Sequence, residues 1–151
     1  MPMPHAYRTA TRDWQAFLAD ARERLDLGSD NMAYTAVDGV LQTFRRRLTV
    51  AQGLAFADVL PAVLRAIFVY RWRPEAPADW GSRAEQVADA KAVRKDHNLT
   101  PDHCIEAVAW ALRRHVRQRD LDDVLARIGP EAEAFWAVEG VDPKELERRF
   151  P

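Results

Sequence analysis

Two stretches of this chain match each other at a separation of 68 positions. Phe44-Arg45-Arg46-Arg47-Leu48 aligns with Leu112-Arg113-Arg114-His115-Val116, and the same separation pairs Val37 with Ile105, Val40 with Val108 and Leu60 with Ile128. A proline (Pro61, Pro130) and an aromatic end (Phe68; Phe135-Trp136) follow in the same order in both copies. Asp30 and Asp102 are 72 apart, so the copies differ by about one helical turn near that helix start. Matched apolar positions, a matched arginine pair and matched prolines are not expected of unrelated segments. A repeat of this length is a supersecondary unit, and such units bury their apolar faces against one another. The expected fold is all-α: two tandem diverged helical repeats packed as one pseudo-twofold helical bundle.

Apolar spacing carries the helical reading along the chain. Trp14, Phe17, Leu18, Ala21 and Leu25 recur at the spacing of one helix face, with Thr9 or Thr11 as the expected cap and Gly28 as the stop. Asp30 is the expected cap of a second, longer helix with Ala33, Val37, Val40, Leu41, Phe44 and Leu48 inward. Thr49 and Gln52 form a capping box that starts a third helix to about Leu60. Pro61 opens a fourth, with Val63, Leu64, Ile67 and Phe68 facing inward. Residues 71–81 hold two prolines and a glycine and no helical period, which makes them a linker. Ser82 and Glu85 form a second capping box, and that helix is expected to run to about Lys95 on a thin apolar face of Ala84, Val87, Ala90 and Val93. Thr100-Pro101 signals the start of the next helix, with Ile105, Val108, Ala109, Leu112 and Val116 inward. Asp120 is the expected cap for a short helix carrying Leu121, Val124, Leu125 and Ile128. Gly129-Pro130 starts another, and Asp142-Pro143 a last turn. The order long, long, short, short is thus expected twice. One domain over 1–151 results, with repeat 1 at about 12–72, a linker at about 73–81, repeat 2 at about 82–138 and a terminal turn at about 142–150.

Composition sets limits on function. A chain of 151 residues with 48% hydrophobic and 30% charged residues has the makings of a core without disulfides. Its single cysteine, Cys104, gives no sign of an oxidising compartment. A net charge of −1 favours neither nucleic acid nor an acidic surface. The first residues lack a continuous apolar run, and no stretch approaches the length of a spanning helix. The expectation is a soluble, cytoplasmic protein that engages no membrane.

Three segments carry a family resemblance. Ala33 to Leu48, then Leu60-Pro61-Ala62-Val63-Leu64-Arg65 with Trp72-Arg73-Pro74, and in the second half Ala111 to Val116 with Asp122-Asp123-Val124 and Phe135-Trp136, resemble the bacterial domain of unknown function 2267 family. The resemblance runs from the first helix to Trp136 and rests on apolar and arginine positions. It implies an all-helical, duplicated fold, and it brings no activity and no catalytic residue to this chain. The thin apolar face around Val87 departs from the family pattern.

Candidate chemistry is sparse. His97, His103, Cys104 and Glu106 lie close in sequence, but zinc wants four ligands at short fixed spacings, and neither a second cysteine nor a His pair at i, i+4 is present. No histidine has a glutamate three residues before it, as a di-iron bundle requires. Cys104 beside His103 lacks the geometry of a nucleophile and base, since adjacent helical residues diverge by about 100°. Cys104 near a helix start is expected to have a somewhat depressed pKa. No third group orients His103 or His115. Asp122-Asp123, Glu131 and Glu133 sit where helix N-termini favour carboxylates. Catalytic, cofactor and metal residues are therefore all expected to be none. The arginines are more suggestive. Arg45, Arg46 and Arg47 and their counterparts Arg113 and Arg114, with Arg117, fall at repeat-equivalent helix ends. There they either grip an anion or satisfy terminal carbonyls. Trp72 and Trp80 in the linker either form an interface or pin the linker to the core. The leading expectation is a non-catalytic interaction protein for a protein partner or its own copy. The alternative is nucleic-acid or anionic-ligand binding through the arginine clusters, which the net charge disfavours.

Overall fold

The computed structural model describes residues 3–94, 96 and 99–147. Among these the chain forms nine α-helices, one 3₁₀ turn and no strand. The helices are α1 His5–Arg8, α2 Ala10–Leu25, α3 Asp30–Arg45, α4 Val50–Asp58, α5 Ala62–Val69, α6 Arg83–Ala92, α7 Cys104–Arg113, α8 Gln118–Ile128 and α9 Pro130–Phe135. The 3₁₀ turn is Pro143–Leu146.

Local signals place most helix starts. Both capping boxes form: Thr49 and Gln52 at α4, Ser82 and Glu85 at α6. Each answers two amide groups that the helix cannot satisfy itself. Asp142 accepts from the Lys144 amide and starts the 3₁₀ turn, as expected.

Other boundaries move. Ser29, not Asp30, caps α3, its hydroxyl accepting from the Met32 amide at 3.2 Å. Asp30 sits one residue inside, where the dipole favours its charge. α2 stops at Asp26, which adopts the left-handed conformation at φ 55°, before Gly28 is reached. α6 ends at Ala92, short of Lys95, which lies outside the described residues. Its inward positions are Gln86 and Ala90, with Val87 half-buried and Ala84 and Val93 exposed. α7 begins at Cys104 rather than directly after Thr100-Pro101. α8 begins at Gln118 behind Arg117, so Asp120 lies within its first turn and is not its cap. α7 is thus 10 residues against 16 in α3, and the long, long, short, short order holds only in the first half. The short α1 has no counterpart in the sequence reading.

Packing crosses the chain. The most extensive helix contacts are α2 on α7 and α3 on α6, with α2 on α3 next. α4 lies against α8 and α5, and α8 against α9. Phe44 is fully buried, its ring 4.7 Å from Phe56, 5.0 Å from Phe135 and 5.4 Å from Trp136. These spacings suit edge-on and tilted aromatic pairs. At the α3–α6 crossing, a Cβ on Gly39 would stand 2.5 Å from the Ala90 carbonyl oxygen, so only glycine permits that approach. Residues 70–82 carry no helix. They are tied down by the Ala78 amide donating to the Arg46 carbonyl at 2.8 Å and by Trp80 against Phe44 at 5.9 Å.

Candidate functional site

The arginine clusters turn largely inward. Arg45 donates from Nη1 to the carbonyls of Phe68 (2.9 Å) and Tyr70 (3.1 Å). Burial pulls its pKa below the usual guanidinium value, against an opposing pull from Asp38. Arg113 donates from Nε to the Trp136 carbonyl at 2.8 Å and from Nη1 to Asp122 at 3.1 Å. Arg47, its side chain only 3% exposed, donates to the Thr43 carbonyl (2.8 Å), the Trp80 carbonyl (3.0 Å) and Asp89 (2.8 Å). Arg114 meets Asp20 at 3.1 Å and the Glu145 carbonyl at 2.6 Å, with its guanidinium 4.6 Å from the Trp110 ring. Arg46 and Arg117 are exposed, each near a carboxylate (Asp89 at 3.7 Å, Asp120 at 4.0 Å). The eight residues singled out in the sequence therefore do not share one face. Arg45, Arg46 and Trp72 meet at a shallow cleft of about 100 Å³ with Arg73 and Glu75. Arg114 and Arg117 line a separate cleft of about 360 Å³ with His115, Arg12 and Asp58.

Two carboxylates organise these arginines. Asp20 on α2 receives Arg114 and, at 2.7 Å, Nε2 of His115. Asp89 on α6 receives Arg47 and Arg46. Each acid thus binds the arginine end of a helix from the other half. Asp20 stands three positions after Phe17 on the buried stripe of α2, and a charge on an apolar helix face was the signal available for it. Nothing local marks Asp89.

The exposed apolar surface lies elsewhere. Val50 and Leu54, at i and i+4, project from one face of α4 into solvent, Leu54 at 54% exposure. Between them Gly53 supports the Trp72 ring, whose edge lies where a Cβ would be. Arg45 stands over the same ring at 5.7 Å. Tyr70, 63% exposed, and Val69 follow at the end of α5, with Arg71 over the Tyr70 ring at 5.2 Å. Tyr34 extends the surface. Its phenol pKa is raised first by burial, then by Asp38 and Tyr70, which places Tyr70 within its electrostatic reach. Trp72 is half-buried, its ring against Gly53 and 6.2 Å from Phe68, so both it and Trp80 tie the linker to the helices.

Charge is divided along the chain more sharply than the net value suggests. Residues 45–73 hold six arginines and one aspartate, while residues 118–147 hold nine acids and three bases. Arg71 and Arg73 are exposed and in no ion pair among the described residues, and the same is true of Asp123, Glu131 and Glu133. The two regions adjoin where α4 packs on α8.

The remaining candidates separate. Cys104 is buried and its thiol is pushed up to about 11, first by burial and then by Glu106. The depressed value expected from a helix start is overturned because desolvation outweighs the dipole. His103 is exposed, with Nε2 3.0 Å from the Arg24 carbonyl oxygen. His97 lies outside the described residues. Among the described residues no group of three or more metal-ligating side chains comes together, and no helix is long and apolar enough to cross a membrane.

Among the described residues, fold and surface together define a small all-helical protein with arginine–carboxylate latches and exposed aliphatic and aromatic side chains on α4 and at the end of α5. The chain belongs to the family described as uncharacterized conserved protein (DUF2267), whose model matches residues 14–135. No curated protein matches it.

Proposed function

We propose that this chain is a non-catalytic interaction protein, and that the surface formed by Val50, Leu54, Tyr70 and Trp72 is where it meets a protein partner or its own copy. The observation that carries the reading is the exposure of Val50, Leu54 and Tyr70, with Arg71 and Arg73 exposed and Trp72 half-buried nearby in sequence. Trp, Tyr and Arg dominate binding energy at protein interfaces, and a clustered apolar face marks one. The anionic-ligand reading draws less support, because the guanidinium groups of Arg45, Arg47, Arg113 and Arg114 are already engaged with carbonyls and carboxylates. A cytoplasmic setting is proposed with it.

The internal duplication belongs to the same proposal. Its support is a matched contact: Arg45 donates to the Phe68 carbonyl and Arg113 to that of Trp136, donor and acceptor each 68 positions apart. α4 and α8 begin at that separation, as do α5 and α9. The halves differ in one respect: α2 packs extensively on α3, but α6 and α7 share no comparable contact.

Native mass spectrometry of the protein purified gently from its own host tests the function. A partner or second copy present with the wild type and lost with Leu54→Asp supports the reading. A bound small molecule or metal with the surface variant unaffected refutes it.

A further inference from the structure

We infer that the contact between His115 and Asp20 is a proton-sensitive latch, which fastens α2 to α7 fully only while the imidazole carries its second proton, whereas the matching latch between α3 and α6 holds at every pH. The inference goes beyond the interaction reading above and takes from the proposed duplication only its matched positions. Residues 15–24, inside α2, lie 68 positions before α6, and residues 36–45 of α3 lie as far before α7. The two seams, α2 on α7 and α6 on α3, therefore join matched helices. Each is closed by one carboxylate oxygen. Oδ2 of Asp89 lies 2.8 Å from Arg47 and 3.7 Å from Arg46, and Oδ2 of Asp20 lies 2.7 Å from Nε2 of His115 and 3.1 Å from Nε of Arg114. Arg46 and Arg114 are 68 apart, as are Arg47 and His115, and the two acids are 69 apart. Histidine thus stands where the first half has arginine. A guanidinium keeps its charge at any pH a protein meets, whereas an imidazole loses it near neutrality. A buried His–Asp pair beside a cleft also suits catalysis, but its match to Arg47 and Asp89 explains it as a fastening.

Burial favours the neutral ring, since the His115 side chain is only 5% exposed. The charges around it favour the cation. Asp20 on α2 is in direct contact. Arg12 and Asp13 from α2, His5 from α1 and Asp58 from α4 line the same cleft, with Arg114, Arg117 and Asp120 on the histidine's own side. Among the described residues four carboxylates thus face three guanidinium groups. Asp89 shows that one carboxylate at this position carries two cations. Phe17 stands at right angles to the imidazole, ring centres 5.8 Å apart, and confines it beside Asp20. The second proton is therefore held to higher pH than in a free histidine. Stability from such a group is complete below the unfolded value of about 6.5 and is lost as pH rises through the folded one. Above it, Asp20 keeps Arg114 alone.

The test is an NMR titration of the His115 ring in the full chain, its signal assigned by absence from His115→Gln. Urea unfolding of the wild type, His115→Gln and His115→Arg accompanies it from about pH 5 to about 8.5, the range over which histidine titrates. The NMR midpoint is expected above the ordinary value of about 6.5, and lower in Asp20→Asn than in the wild type. The urea midpoint of the wild type should exceed that of His115→Gln at the acid end, and the excess should shrink as pH rises through the NMR midpoint. His115→Arg restores the matched guanidinium, so its pH dependence should run parallel to that of His115→Gln. Amide-exchange protection in α2 and α7 should fall over the same window while α3 and α6 keep theirs. An NMR midpoint at or below about 6.5 overturns the proposal, as does equal pH dependence of the wild type and His115→Gln. Protection that falls equally at both seams overturns the contrast between the two latches. Should Asp20→Asn fail to fold, the wild-type titration and the comparison with His115→Gln decide alone. None of these measurements depends on a partner.

Discussion

Arg46 and Arg47 are adjacent in sequence and identical in chemistry, yet their replacement should have very different costs. Arg47 has three charged hydrogen bonds, two to carbonyls and one to Asp89, with its side chain almost wholly out of water. Breaking a buried ion pair by removing one partner costs about 3–5 kcal/mol. Asp89 is a third exposed and stays within reach of Arg46, so water and the neighbour recover part of that. The expected cost of Arg47→Gln is roughly 2–4 kcal/mol, with the Thr43 carbonyl losing its side-chain donor and the Trp80 carbonyl keeping that of Gln86. Arg46 is mostly solvated at 3.7 Å from the same carboxylate, so Arg46→Gln should change stability by under about 1 kcal/mol. Urea unfolding at neutral pH, followed by far-UV circular dichroism, measures both. For a chain of this size the Arg47 variant should also melt roughly 5–15 °C lower. Equal effects of the two substitutions would refute the argument that Arg47 is an internal latch and Arg46 a surface charge.

Phe44→Ala removes the ring at the centre of the aromatic cluster and is expected to cost about 3–5 kcal/mol, with Leu112→Ala at about 2–5 kcal/mol; denaturation showing both near neutral would remove their proposed equivalence. Gly39→Ala sets a methyl against the Ala90 carbonyl, a backbone atom that cannot swing aside, and should destabilise by about 1–3 kcal/mol in the same assay. Cys104 has a thiol pKa raised to about 11, so its contribution is complete below the unfolded value of about 8.5 and is lost as pH climbs through 11. Wild-type stability should therefore fall over that alkaline window relative to Cys104→Ala, and a parallel pH dependence of the two proteins would contradict it. The same thiol should resist alkylation near neutral pH until the chain unfolds.

What could be read from the sequence was whatever a few neighbouring residues decide. A Thr or Ser three positions before Gln or Glu states its hydrogen bonds in full, which is why α4 and α6 start where expected. Ser29 was missed because Asp30 beside it is an equally good cap by residue type, and only the backbone conformation chooses between them. Apolar spacing found Phe17, Phe44, Ile105, Leu112 and Val124, all of which are buried. It failed on α6, where the inward positions include Gln86, whose amide donates to the Trp80 carbonyl. The arginines show the limit most clearly. Their position at helix ends was visible, but their partners Asp20 and Asp89 lie far along the chain. Charge content alone does not distinguish a guanidinium aimed at a carbonyl from one aimed at solvent. The exposed face of α4 was likewise hidden, because Val50 and Leu54 fall at the same spacing as core residues.

The crossed packing of α2 on α7 and α3 on α6 also bears on how the chain is made. Emerging from the ribosome, α2, α3 and α5 meet first and have extensive contacts of their own. The apolar stripe of α3, with Ala36, Val37 and Val40, must then wait for partners synthesised dozens of residues later. During that interval the nascent chain presents a bare hydrophobic face, of the kind that chaperones hold and that aggregates recruit. The second half has no such head start: α6 and α7 find their places on a surface already laid down. Synthesis from the amino terminus and assembly of the core therefore run in the same direction, with the first half acting as the template for the second.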